Sequence, residues 1–145
     1  MTDDATGTPS SPAPPSSSPP RADILVVDND RNLRRLVAIR LEEAGHRAVM
    51  AESGAQALAE WNRRHFDLVI SDIRMPNGDG LALAEAVQRA RSVPIILMTG
   101  FRDRYEPRLA LARDVVVIEK PFEAAALVSL VEALLHGRPL GRGDA

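Results

Sequence analysis

The chain has 145 residues, of which 45% are apolar and 26% charged, with a net charge of −2 and a pI of about 5.9. That length suits one domain with a sizeable core, and the near-neutral balance argues against a nucleic-acid or anionic-membrane binder. There is no cysteine, which removes disulfides, thiolate catalysis and cysteine metal sites, and no apolar run approaches the roughly 20 residues of a membrane span, so the expectation is a soluble cytoplasmic protein.

Residues 1–21 form a Pro/Ser-rich segment that holds six of the eleven prolines. It cannot bury enough apolar surface to offset its ordering entropy, and a disordered leader is expected. From Ala22 to His136 short apolar runs alternate with helical spacing. ILVV (24–27) predicts a first strand, and Asn32 to Ala44 a helix with Leu33, Leu36, Val37 and Leu41 on one face. A weaker AVM strand (48–50) precedes a helix from Ser53 to Arg64, which opens on a cap and turns Ala57, Leu58 and Trp61 inward. LVI (68–70) predicts the third strand. After a Gly78-Asp79-Gly80 turn comes a helix over Leu81–Ala90, and IILM (95–98) predicts the fourth strand. A short helix over Pro107–Arg113, the strand VVVI (115–118) and a helix over Phe122–Leu135 complete the domain, and residues 137–145 form a polar tail.

Strands without polar alternation belong to parallel sheets covered on both faces. Five of them alternating with five helices make a doubly wound α/β fold. The weak AVM strand fits an edge, which gives the flavodoxin-like order 2-1-3-4-5. In such a sheet ligands bind beyond the carboxyl ends of the strands. Those ends carry Asp28-Asn29-Asp30, Ser71-Asp72, Thr99-Gly100 and Glu119-Lys120-Pro121. Carboxylates brought together repel unless a cation shares the site, and Mg²⁺ takes one or two carboxylates, waters and a phosphate oxygen. Lys120 can meet a second phosphoryl oxygen and Thr99 a third, while one carboxylate attacks phosphorus to form an aspartyl phosphate.

These segments, ILVVDND, DLVISDIRMPNGDGL (67–81), PIILMTG (94–100) and VVVIEKPF (115–122), resemble the receiver domain of bacterial two-component response regulators. By position, the resemblance implies that Asp72 is the phosphoacceptor, Thr99 the switch hydroxyl and Lys120 the phosphoryl-contacting lysine. It assigns Mg²⁺ to Asp28, Asn29, Asp72 and the backbone carbonyl of Arg74, and implies a cis Lys120–Pro121 bond. The implied partner is a sensor histidine kinase or histidine phosphotransfer protein; Arg31, Arg34 and Arg35 at the start of the first helix read equally as a solvated face or, by the resemblance, as the face that docks a kinase. The only chemistry would be the domain's own phosphorylation and dephosphorylation, so no enzyme acting on a separate substrate is expected. With nothing after residue 136 to build an output domain, the signal is expected to leave by contact with a downstream protein. The face of the fourth helix, fifth strand and fifth helix would carry it, and a homodimer through that face is one form it could take. No direct contact with nucleic acid or membrane is expected.

Two positions depart from the family pattern. Asn29 stands where a second acid usually follows Asp28, which predicts weaker Mg²⁺ binding with the chemistry retained. Val117 stands where an aromatic ring usually reports the switch. Two alternative readings follow: a pseudo-receiver that binds partners without phosphorylation, and a haloacid-dehalogenase-type phosphatase whose nucleophile is Asp28 in Asp28-Asn29-Asp30. Arg31-Asn32 and the lack of an acidic motif after the fourth strand count against the phosphatase. His46, His65 and His136 have no partner at metal or triad spacing and are expected at the surface.

Overall fold

The computed structural model describes residues 21–74, 80–100 and 115–136. In chain order the elements are β1 (Asp23–Val27), α1 (Arg31–Glu43), β2 (Arg47–Ala51), α2 (Gly54–Arg63), β3 (Leu68–Asp72), α3 (Gly80–Ala90), β4 (Ile95–Thr99), β5 (Val115–Glu119) and α4 (Ala124–Leu135). The five strands are parallel in the order β2-β1-β3-β4-β5, as expected. Four helices lie among the described residues. The helix expected over Pro107–Arg113 falls outside them, so α4 is the one expected as the fifth.

Strand alternation splits the core in two. Leu25 and Val27 of β1 face the side covered by α2 and α3, together with Val69 and Leu97. Ile24 and Val26 face the other side with Ile70 and Met98, against Val37 and Leu41 of α1 and Leu127, Val131 and Leu135 of α4. Both faces of the central strands are therefore apolar, which is why their sequence shows no polar alternation. Each such Leu, Ile or Val contributes about 1.5–3 kcal/mol relative to exposure. Val117 takes a plain strand position, partly buried against the first of these clusters.

The helix entries follow their side chains. The Asp30 carboxylate accepts the backbone N–H groups of Asn32 and Leu33, so Asp30 caps α1 and Asp28 is left free of that task. Ser53 caps α2 by accepting the Gln56 N–H at 3.1 Å. α1 ends at its C-cap Ala44 and is followed by Gly45, whose φ of 100° favours glycine.

Two expectations about side chains need correction. Leu36 is 42% exposed, and Ala38 takes the buried place beside Val37 and Leu41. The apolar stripe of α1 is thus narrower than its spacing suggested. His46 is not at the surface but buried: its Nδ1 accepts the Ala22 N–H at 3.2 Å, and its Nε2 lies 3.5 Å from Glu132 Oε2 on α4. The turn after Gly45 folds it under the start of β1. His65 and His136 are exposed, as expected.

Candidate functional site

The register of the sheet sets Val27 beside Ser71, Asp72 beside Met98 and Thr99 beside Glu119, so the four strand ends reach one rim. Asp28 leaves β1 with its N–H bonded to the Ala51 carbonyl at 3.1 Å. The Lys120 N–H donates to the Thr99 carbonyl at 2.8 Å, tying the residue after β5 to the end of β4. The Lys120–Pro121 bond is cis.

Three of the expected residues meet directly. Lys120 Nζ lies 3.1 Å from Asp28 Oδ2 and 3.0 Å from Asp72 Oδ2, bridging the two carboxylates. The expectation of a rim holds, but these carboxylates are not open to solvent: Asp28 is fully buried and Asp72 is 7% exposed. The other oxygens are also held. Asp28 Oδ1 accepts the Asp30 N–H at 2.8 Å, and Asp72 Oδ1 accepts the Arg74 N–H at 3.2 Å. Thr99 is buried beside them, with its hydroxyl donating to the Gly100 carbonyl at 3.3 Å. Asn29, next after Asp28, and Arg74, two after Asp72, have exposed side chains.

One ammonium shared by two buried carboxylates leaves negative charge in excess. Burial pushes the Asp72 carboxyl above its ordinary value; the Lys120 hydrogen bond opposes this, and the Asp28 charge adds to it. Burial pulls the Lys120 ammonium down, but the Asp72 and Asp28 carboxylates outweigh it and hold the group above its ordinary value. The excess negative charge and the oxygen donors of the two carboxylates suit a hard divalent cation. Among the described residues no three His, Cys, Asp or Glu side chains converge as a metal cluster.

Two local supports were not foreseen. Arg34 NH1 donates to the Asp28 carbonyl at 2.7 Å, pinning the loop between β1 and α1 from one helical turn further on. Gly80 packs its backbone on the Asp72 carbonyl so closely that a Cβ would overlap it. The signal for Gly80 was the glycine itself, placed just after a Gly-Asp pair; for Arg34 the only signal was its position four residues after the cap.

A parallel 2-1-3-4-5 sheet with two carboxylates and a lysine at the carboxyl ends of β1, β3 and β5 has the architecture of a receiver. The family model for the response regulator receiver domain matches residues 24–132, and the chain belongs to that family. The transcriptional regulatory protein GlrR of Escherichia coli is 35% identical over 117 residues, covering 79% of this chain and 26% of GlrR. A probable transcriptional regulator, ycf27, of Porphyridium aerugineum is 32% identical over 115 residues, covering 78% of this chain and 48% of that protein. The chain thus spans half or less of the length of these relatives. Among solved structures, NtrX of Brucella abortus in complex with ADP superposes with a TM-score of 0.72 at 35% identity, over 79% of this chain and 27% of NtrX. Chemotaxis protein CheY4 of Vibrio cholerae superposes with a TM-score of 0.71 at 26% identity, over 80% of this chain and the whole of CheY4. The chain is therefore a receiver domain of the two-component type. Among the described residues no helix is long and apolar enough to cross a membrane.

Proposed function

We propose that Asp72 accepts a phosphoryl group from a histidine kinase or histidine phosphotransfer protein. The observation that carries this reading is the bridge of Lys120 between Asp28 and Asp72 at the carboxyl ends of the strands. A carboxylate oxygen of Asp72 would attack phosphorus, the P–N bond of the donor phosphohistidine would break, and the electron pair would leave on the imidazole. Lys120 would turn from Asp72 to the incoming phosphoryl oxygens, and Thr99 would exchange its bond to Gly100 for one to the phosphoryl group. Asp28, Asn29, Asp72 and the Arg74 carbonyl would hold Mg²⁺, which would supply charge neutralisation on the transferring group. A cytoplasmic location goes with such a donor. Signalling then passes to a downstream protein through the face that includes β5 and α4.

Membership of the receiver family favours Asp72 over Asp28 as the nucleophile and counts against the hydrolase reading. The test is intact mass after incubation with acetyl phosphate, with and without Mg²⁺, on the wild type, Asp72→Ala and Asp28→Ala. A Mg²⁺-dependent adduct that disappears in Asp72→Ala is expected. Its absence from the wild type at high Mg²⁺ would favour the pseudo-receiver, and its persistence in Asp72→Ala would remove Asp72 as the acceptor.

A further inference from the structure

The first turns of α1 carry charge of the wrong sign. The N-terminus of a helix favours anions, yet α1 has no acid in its first turn and places Arg31, Arg34 and Arg35 there. Arg31 is three and four residues from the other two, spacings at which like charges repel. Among the described residues the side chains of Arg31 and Arg35 have no hydrogen bond or ion pair, and the Arg34 guanidinium is bonded only to the Asp28 carbonyl. The Asp30 carboxylate at the N-cap offsets one of these three charges and leaves the arrangement positive.

The three arginines line a cavity of about 410 Å³ between α1, the end of β2 and the start of α2. Its volume lies within the range of small-molecule sites. Met50 supplies an apolar wall and is 43% exposed. Gln56 lines another side, its Oε1 fixed by the Glu52 N–H at 2.6 Å, which leaves its NH₂ group to donate. The one carboxylate of the lining is Glu52. Within the lining, three guanidinium groups face one carboxylate, an excess of positive charge that suits a phosphate-monoester anion. Guanidinium forks fit phosphate oxygens in pairs.

We propose that this cavity is a binding site for a small organic phosphate. The arginines take its phosphate, Met50 takes its apolar part and Gln56 donates at its edge. The site is separate from the carboxylate pair, but Arg34 belongs to both: the guanidinium that would hold the ligand also holds the carbonyl of Asp28. Occupancy is thereby felt at the loop between β1 and α1. The inference does not depend on phosphorylation of Asp72.

The probe is phenyl phosphate, titrated in the absence of Mg²⁺ into the isotope-labelled full chain and followed by NMR. Saturable shifts of the arginine Nε–H groups of Arg31, Arg34 and Arg35 and of the Met50 methyl are expected. The double variant Arg31→Gln/Arg35→Gln should weaken binding at least tenfold, while Asp72→Asn leaves it unchanged. The double variant should also melt no lower than the wild type, since it removes repulsion and no contact. Equal shifts with sulfate at the same ionic strength would reduce the cavity to a screened patch and overturn the proposal. So would no saturable shift, shifts lost only in Asp72→Asn, or a double variant that is markedly less stable, which would give the arginines a structural purpose. None of these readouts involves phosphoryl transfer, so the fate of this site and that of Asp72 as acceptor are decided separately.

Discussion

The backbone N–H of Asp30 donates to Asp28 Oδ1 at 2.8 Å while the carboxylate of Asp30 caps α1. The two acids thus divide the labour: Asp30 starts the helix and orients Asp28, and Asp28 turns inward to Lys120. Asp30→Ala removes the cap and should cost about 1 kcal/mol of stability, measured by urea denaturation. An unchanged unfolding midpoint would show that water or Asn29 replaces the cap without loss.

Lys120→Met leaves two buried carboxylates without their shared cation. The expected loss at pH 7 is about 2–3 kcal/mol, below that for a fully buried pair because the Lys120 side chain is 25% exposed. The loss should shrink as pH falls. Asp72, whose carboxyl is already raised by burial, takes up a proton first and relieves the repulsion. Urea unfolding of both proteins between pH 7 and pH 4 measures this, and a pH-independent difference would mean that the lysine acts through packing alone.

Asn29→Asp adds a charge at the mouth of the site. A unit charge about 4 Å from a cation is worth up to about 4 kcal/mol at an effective dielectric near 20, with solvent screening reducing this for an exposed residue. Mg²⁺ affinity by calorimetry should rise at least tenfold. Equal affinities would show that Asn29 does not face the ion.

His46 gives a pH dependence whose sign follows from its burial. Burial lowers its pKa from 6.5, against the opposing pull of Glu132. The unfolded chain therefore binds the proton first. The contribution is full above about pH 6.5 and declines as pH falls toward the lower folded value, where the proton also competes with the Ala22 N–H for Nδ1. The fall in stability between pH 7.5 and pH 5.5 should be smaller in His46→Gln. The same slope in both proteins would assign the effect to other groups.

Much of this was legible in the sequence, and for a physical reason. Strands buried on both faces announce themselves as unbroken apolar runs, and ILVV, LVI and IILM all became central strands. The place of the candidate site was legible because each apolar run is followed within two positions by its polar residue, so locating the strands located Asp28, Asp72, Thr99 and Lys120. What escaped depended on three-dimensional neighbours. Leu36 has helical spacing compatible with burial, but α1 meets the sheet along a narrower stripe. His46 looked like a turn residue because its partners, Ala22 and Glu132, are distant in the chain. The depth of Asp28 was also missed: the strand delivers it to the rim, and the long Lys120 side chain closes over it.

Trp61 is the chain's single tryptophan, stacked on Phe66 with ring centroids 6.3 Å apart and with the Arg91 guanidinium 5.5 Å from its ring centre. It lies in the last turn of α2, which runs back toward the start of β3, at the opposite end of the sheet from Asp72. Intrinsic fluorescence of this protein is therefore an optical gauge of whether α2 and α3 remain docked. That channel reads the stack of Trp61 on Phe66, so unfolding can be followed by emission through a contact that involves none of Asp28, Asp72 and Lys120.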